Sequence, residues 1–201
     1  MFDRAQALLH AAPLHAAPVT SFAIVPSLPA SSDEDLLVVT ASHDRTAQMS
    51  RILLGGTPTT TSTPLATLHL HEAPIADVAP TRDGKYILTA GWDGLIGLWS
   101  TNIPETDEVP LDAVAGPERK KRRKVQDGDS VKTKAPSMVL RSHTARVSAV
   151  KSSDGGDAVS CGFDSTIRTW DVERGLCAHT IVRTSSVFYS HMWWGSVDSR
   201  Q

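Results

Sequence analysis

Ser160, His143 and Asp164 supply the hydroxyl, imidazole and carboxylate that a hydrolytic triad needs. The same set recurs as Thr89, His71 and Asp93, and again as Thr40, His15 and Asp44. In every copy the hydroxyl stands four residues before the aspartate, and in two copies a tryptophan, Trp99 or Trp170, stands six residues after it. An active centre is built once, whereas a constellation repeated along a chain is a bracing device. The spacing therefore predicts a structural network and no catalytic residue. The histidine donates to the carboxylate, the hydroxyl meets the other ring nitrogen, and the indole N–H meets the hydroxyl. The aspartate accepts from turn amides. The first copy has Ser50 where the tryptophan belongs, so its network is incomplete. No G-x-S-x-G elbow or glycine-rich phosphate loop occurs. The eight histidines follow the repeat, not ligand spacing, so neither metal nor cofactor is expected.

These side chains need elements that hold them at fixed positions. Each copy reads as a histidine, a β-branched run, a Thr or Ser, a tight turn opened by Asp and a further strand. That is the pattern of a four-stranded propeller blade, a unit that cannot bury its own faces. The predicted fold is all-β, about three such propeller blades, with the ring incomplete. Residues 1–14 read as a leader or outer strand and 15–70 as a degenerate blade ending in the polar linker GGTPTTTST (55–63). Residues 71–99 form the cleanest blade, with Asp-Gly turns at Asp83-Gly84 and Asp93-Gly94. Residues 100–137 read as a mobile acidic and basic insertion between two strands of one sheet, 138–182 as a further blade, and 183–201 as an atypical tail.

The net charge of −2 in 201 residues gives no global field toward nucleic acid. Two cysteines make no disulfide framework and favour a reducing compartment. No apolar run is long enough to span a bilayer, and the two prolines in the early apolar stretch argue against a signal peptide. One local charge feature stands out: Arg119, Lys120, Lys121, Arg122, Arg123 and Lys124 are consecutive cations. They suit nuclear import or contact with RNA phosphates. Acids at Glu105, Asp107, Glu108, Asp127 and Asp129 limit their reach and favour import, and no interleaved aromatics support base stacking.

The segments TAGWDGLIGLW, NIPETDEVP, ERKKRRKV, LRSHTARVSAV and SCGFDSTIRTWDVERG resemble the fungal branch of a WD-repeat ribosome-biogenesis family, the WD-repeat subunit of the Pes–Bop complex in animals. The resemblance spans roughly residues 15–182. It implies a seven-bladed propeller behind a ubiquitin-like domain and a non-enzymatic place in a three-protein nucleolar complex that matures large-subunit precursors and their rRNA. The partners it implies are another WD-repeat subunit, the pre-ribosomal particle and, through the basic run, an importin and pre-rRNA. Nucleus, nucleolus and nucleoplasm are the implied locations, with no membrane. The ubiquitin-like domain, which in the family engages an AAA-type ATPase, is not recognisable here, and the chain is expected to be a fragment, the product of a truncated gene reading, or a segment within a larger assembly. A WD-repeat adaptor in another nuclear complex is the alternative.

Overall fold

The computed structural model describes residues 15–26, 35–53, 62–108, 131–153 and 156–182. Among them the regular structure is entirely β. The first sheet runs β1 (Val19–Val25), β2 (Asp35–Ser42), β3 (Thr46–Leu53), β4 (Ser62–His69) and, at its edge, β8 (Lys132–Lys134). The second orders β5 (Ile75–Pro80), β6 (Tyr86–Gly91), β7 (Leu95–Ser100) and β9 (Met138–Arg141). The third orders β10 (Val147–Ser152), β11 (Ala158–Gly162), β12 (Thr166–Asp171) and β13 (Leu176–Val182). All neighbours are antiparallel except β4 and β8. Among the described residues the three sheets are propeller blades packed side by side that do not close into a ring.

The middle blade is covered on both faces, which explains its nearly continuous apolar runs, YILTAG and LIGLW. Successive residues point to opposite faces of a strand. Ile87 therefore joins the core between the first and second blades, and Leu88 joins the core between the second and third. In the first core Val39, Ala41, Met49 and Leu68 meet Ile75, Val78 and Trp99. In the second Ala90, Ile96, Leu98 and Leu140 meet Val147, Val150, Ala158 and Trp170. Each fully buried aliphatic side chain contributes about 1.5–3 kcal/mol. The innermost strands β1, β5 and β10 pack beside one another, and each carries a register shift at the same place: Val19/Ser21, Ile75/Asp77 and Val147/Ala149.

The shift in the middle blade aims Asp77 between the sheets. Its Oδ1 accepts from Ser21 Oγ of the first blade (2.8 Å) and from its neighbour's amide, Val78 N (2.9 Å). Its Oδ2 accepts from Val150 N (3.1 Å) and Lys151 Nζ (3.0 Å) of the third. One carboxylate thus ties three blades together. Thr20 adds a second link, donating to the Ile75 carbonyl at 2.6 Å.

Several boundaries differ from the sequence reading. The strand β9, grouped there with the third repeat, closes the second sheet, so sequence repeat and sheet are out of step by one strand. The polar linker is shorter than expected, because Ser62 and Thr63 already pair with Ile52 and Arg51. Part of the 100–137 insertion is ordered strand: Ala66, Thr67 and Leu68 pair in parallel with Lys132, Thr133 and Lys134. The two flanks of the insertion hold each other. Thr133 N donates to Asp107 Oδ1 (2.8 Å), Glu108 N to the Thr133 carbonyl (2.8 Å) and Ala135 N to Glu108 Oε2 (3.0 Å). Asp107 and Glu108 thus bind backbone as well as carrying charge. Lys134, buried beside them, donates to the Asn102 carbonyl. Burial lowers its pKa, which Glu108 partly offsets. The leader 1–14, the tail 183–201 and the run Arg119–Lys124 lie outside the described residues.

Candidate functional site

The structure brings each repeated constellation together at the same end of its blade, where the loop entering the blade meets the turn between its second and third strands. In the second blade His71 Nδ1 lies 3.0 Å from Asp93 Oδ2 and 3.1 Å from Oδ1, and Nε2 lies 2.8 Å from Thr89 Oγ1. Trp99 Nε1 donates to the same hydroxyl at 3.0 Å. In the third blade His143 Nδ1 lies 2.8 Å from Asp164 Oδ2, Nε2 lies 2.7 Å from Ser160 Oγ, and Trp170 Nε1 donates to Ser160 at 2.8 Å. The first blade repeats the start of this chain, with His15 Nδ1 2.9 Å from Asp44 Oδ2 and Nε2 2.8 Å from Thr40 Oγ1. At the tryptophan position sits Ser50, whose Oγ is buried without a hydrogen-bond partner.

The partners assign the protons. The indole can only donate, so the hydroxyl receives it and turns its own proton to Nε2. Nδ1–H then faces the carboxylate. Backbone amides complete each aspartate: Glu72 and Leu95 on Asp93, Thr144 and Thr166 on Asp164, Ala16 and Thr46 on Asp44. Burial opposes ionisation of Asp164. Hydrogen bonds from Thr166, His143 and the Thr144 amide outweigh it and draw the carboxyl down to about 2. Asp44 is drawn to about 2 in the same way, against burial, by Thr46, the Ala16 amide and His15. Asp93 is also lowered: burial opposes ionisation, and His71 with the two amides overcomes it. Burial lowers the pKa of His143, Asp164 opposes that, and Arg168 reinforces it.

The chemistry such a set can do is limited by access. Thr89 is 0% exposed and Ser160 1%, so each hydroxyl is enclosed between an indole and an imidazole with no approach for a carbonyl substrate. Among the described residues no group of three His, Cys, Asp or Glu side chains is arranged to hold a metal ion. What the networks do is fix a turn. The residue after each aspartate has a left-handed backbone: Arg45 at φ 74°, Gly94 at 82° and Ser165 at 60°. Two of the three are not glycine, and the carboxylate that accepts from the amide one step further on holds the turn in this conformation.

Sequence reasoning missed several members. Thr46 and Thr166 donate to Asp44 and Asp164 at 2.6 and 2.7 Å, a role signalled by the Asp-x-Thr spacing. Gly91 and Gly162, two residues before their aspartates, leave room for the imidazole. A Cβ at Gly162 would stand 2.7 Å from His143 Nδ1, and one at Gly91 would collide with His71 and Asp93. The first blade has Ser42 there instead, with its hydroxyl donating to the Ala17 and Pro18 carbonyls. Asp77 gave no signal, since it repeats in no other blade.

Comparison with known proteins agrees with this architecture. The family model "WD domain, G-beta repeat" matches residues 62–100 and 134–171. The chain is 45% identical over 193 residues to the ribosome biogenesis protein YTM1 of Laccaria bicolor and 44% identical over 196 residues to that of Coprinopsis cinerea. Each alignment takes in 93% of this chain and 43% of the relative, so the chain spans less than half the length of these relatives. The Saccharomyces cerevisiae protein of the same name is 38% identical over 133 residues, 61% of this chain and 28% of its own. By its blades, its repeats and this similarity along nearly its whole length, the chain is a WD-repeat chain similar to the fungal ribosome biogenesis proteins.

Proposed function

We propose that the chain serves as a non-enzymatic WD-repeat scaffold in nucleolar maturation of large ribosomal subunit precursors and rRNA processing. The observation that carries this reading is the 45% identity across 93% of the chain to a protein named for ribosome biogenesis. The closed networks support the non-enzymatic part, since the hydroxyls that resemble nucleophiles are consumed by bracing. In this reading the blades bind a second WD-repeat subunit of a three-protein complex and the pre-ribosomal particle. The basic run Arg119–Lys124 engages an importin and contacts pre-rRNA, and the protein distributes among nucleus, nucleolus and nucleoplasm. Affinity purification of the tagged chain from fungal nuclear extract tests it. Co-purification of large-subunit precursor rRNA is the expected result, and its absence at verified nuclear expression would defeat the proposal.

A further inference from the structure

Met138 and Gly175 meet across the junction between the second and third blades. Met138 is half-buried on the outer strand β9, opposite Leu98, and packs at the rim of the core between these blades. Gly175 stands in the turn between β12 and β13. Its backbone is left-handed, at φ 68°, and its amide donates to the Asp171 carbonyl at 2.8 Å. A Cβ at Gly175 would collide with Met138 Sδ and stand 3.1 and 3.2 Å from the Cγ and Cε beside it. The thioether of one blade therefore fills the notch that a missing side chain leaves on the next. The other described methionine, Met49, is 0% exposed inside the first core. Met1 and Met192 lie outside the described residues.

A sulfur at a packed joint and at the edge of water is open to one kind of chemistry. We propose that Met138 is an oxidation site whose sulfoxide loosens the junction of the second and third blades. The oxidant is a peroxide. Its O–O bond breaks as one oxygen passes to Sδ and an S–O bond forms. Sulfur loses two electrons, the peroxide is reduced, and with hydrogen peroxide the other product is water. The product side chain is polar, and its new oxygen needs space beside a sulfur already seated against Gly175. The notch holds the thioether alone, so the sulfoxide withdraws toward solvent and uncovers Leu98 and the rim of the second core. Reductases return the sulfoxide to the thioether, so the joint can be reset. Cys177 packs at the same rim, but its Sγ donates to the His179 carbonyl of its own strand at 3.4 Å. It is not the sulfur that spans the two blades. The proposal rests on this contact and does not depend on which assembly the chain serves.

Graded hydrogen peroxide treatment of the whole chain tests it, followed by dithiothreitol to reverse thiol oxidation. Peptide mass mapping reads which methionines have gained oxygen, and urea unfolding reads the consequence. Met138 is expected to oxidise well before Met49, and the urea midpoint to fall in step with the Met138 sulfoxide. Hydrogen exchange should quicken in β9 and in the turn between β12 and β13, while amides between β2 and β3 hold. Met138→Leu keeps the volume and apolar character of the site. It is expected to keep its midpoint at the same peroxide dose, although Met1 and Met192 still oxidise. Three results would overturn the proposal: Met138 oxidising no faster than Met49, an unchanged midpoint with Met138 fully oxidised, or an equal loss in Met138→Leu.

Discussion

At the scale of single residues, the three networks form a natural series. Two are complete, and the third lacks the indole and leaves a buried hydroxyl, Ser50 Oγ, unpartnered. Opposite signs follow for the same substitution. Ser160→Ala leaves the Trp170 N–H and the His143 ring nitrogen without their partner and should cost about 1–3 kcal/mol. Ser50→Ala removes a desolvated group that bonds to nothing and should be neutral or stabilising by up to about 1 kcal/mol. Urea unfolding of the two variants beside the parent chain measures both. Acid sensitivity has a sign as well. The folded-state pKa of His143 lies below its ordinary value, so the unfolded chain binds the extra proton first. Stability is full above about pH 6.5 and falls as the pH drops below it. A second loss follows as the pH falls below the ordinary aspartate value of 3.8 toward the folded value of about 2 for Asp44 and Asp164. Urea midpoints should decline between pH 7.5 and 5.5, and His143→Gln should flatten that decline. Much of this scale was legible in the residues themselves, because histidine, hydroxyl, aspartate and tryptophan recur at fixed spacing. The glycines under the imidazoles were not, since a requirement for empty space leaves no chemical mark.

At the scale of elements, strands with a strong period were readable to within a residue or two, as β1, β3 and β6 show. Those placed by partners were not. The strand β8 is three polar residues in a charged segment, and it is a strand because β4 offers an open edge far away in the chain. Asp77 is the clearest case. Its sequence neighbours suggest an ordinary strand, and only the bulge in β5 turns the carboxylate toward β1 and β10. Asp77→Ala strands the buried Val150 amide and the Ser21 hydroxyl, and should destabilise by about 2 kcal/mol or more. Hydrogen exchange should localise the loss, with amides of β1 and β10 exchanging faster while those between β6 and β7 change least. Uniform acceleration would show that the carboxylate joins nothing in particular.

At the scale of the whole molecule, blades bury one another and the core lies between sheets, never within one. The blade count followed from the repeat, but the partition of strands did not. Periodicity reports recurrence and is blind to where a sheet begins, so β9 was grouped with the repeat it starts instead of the sheet it completes. The localisation proposal belongs to this scale too. Neutralising Arg119 to Lys124 should move a fluorescently tagged protein toward the cytoplasm. Unchanged nuclear accumulation would remove import from the roles of that run.

The one-strand offset has a practical consequence for anyone cutting this chain into pieces. A peptide spanning residues 62–100, the extent of one family-model match, carries a strand, β4, whose partners β3 and β8 both lie outside it, and three strands whose fourth lies downstream. Such a module should be unfolded by itself. A piece trimmed to contain β5 through β9 keeps every ladder of its sheet, and excision or grafting of a blade should follow those joints and not the borders of the motif.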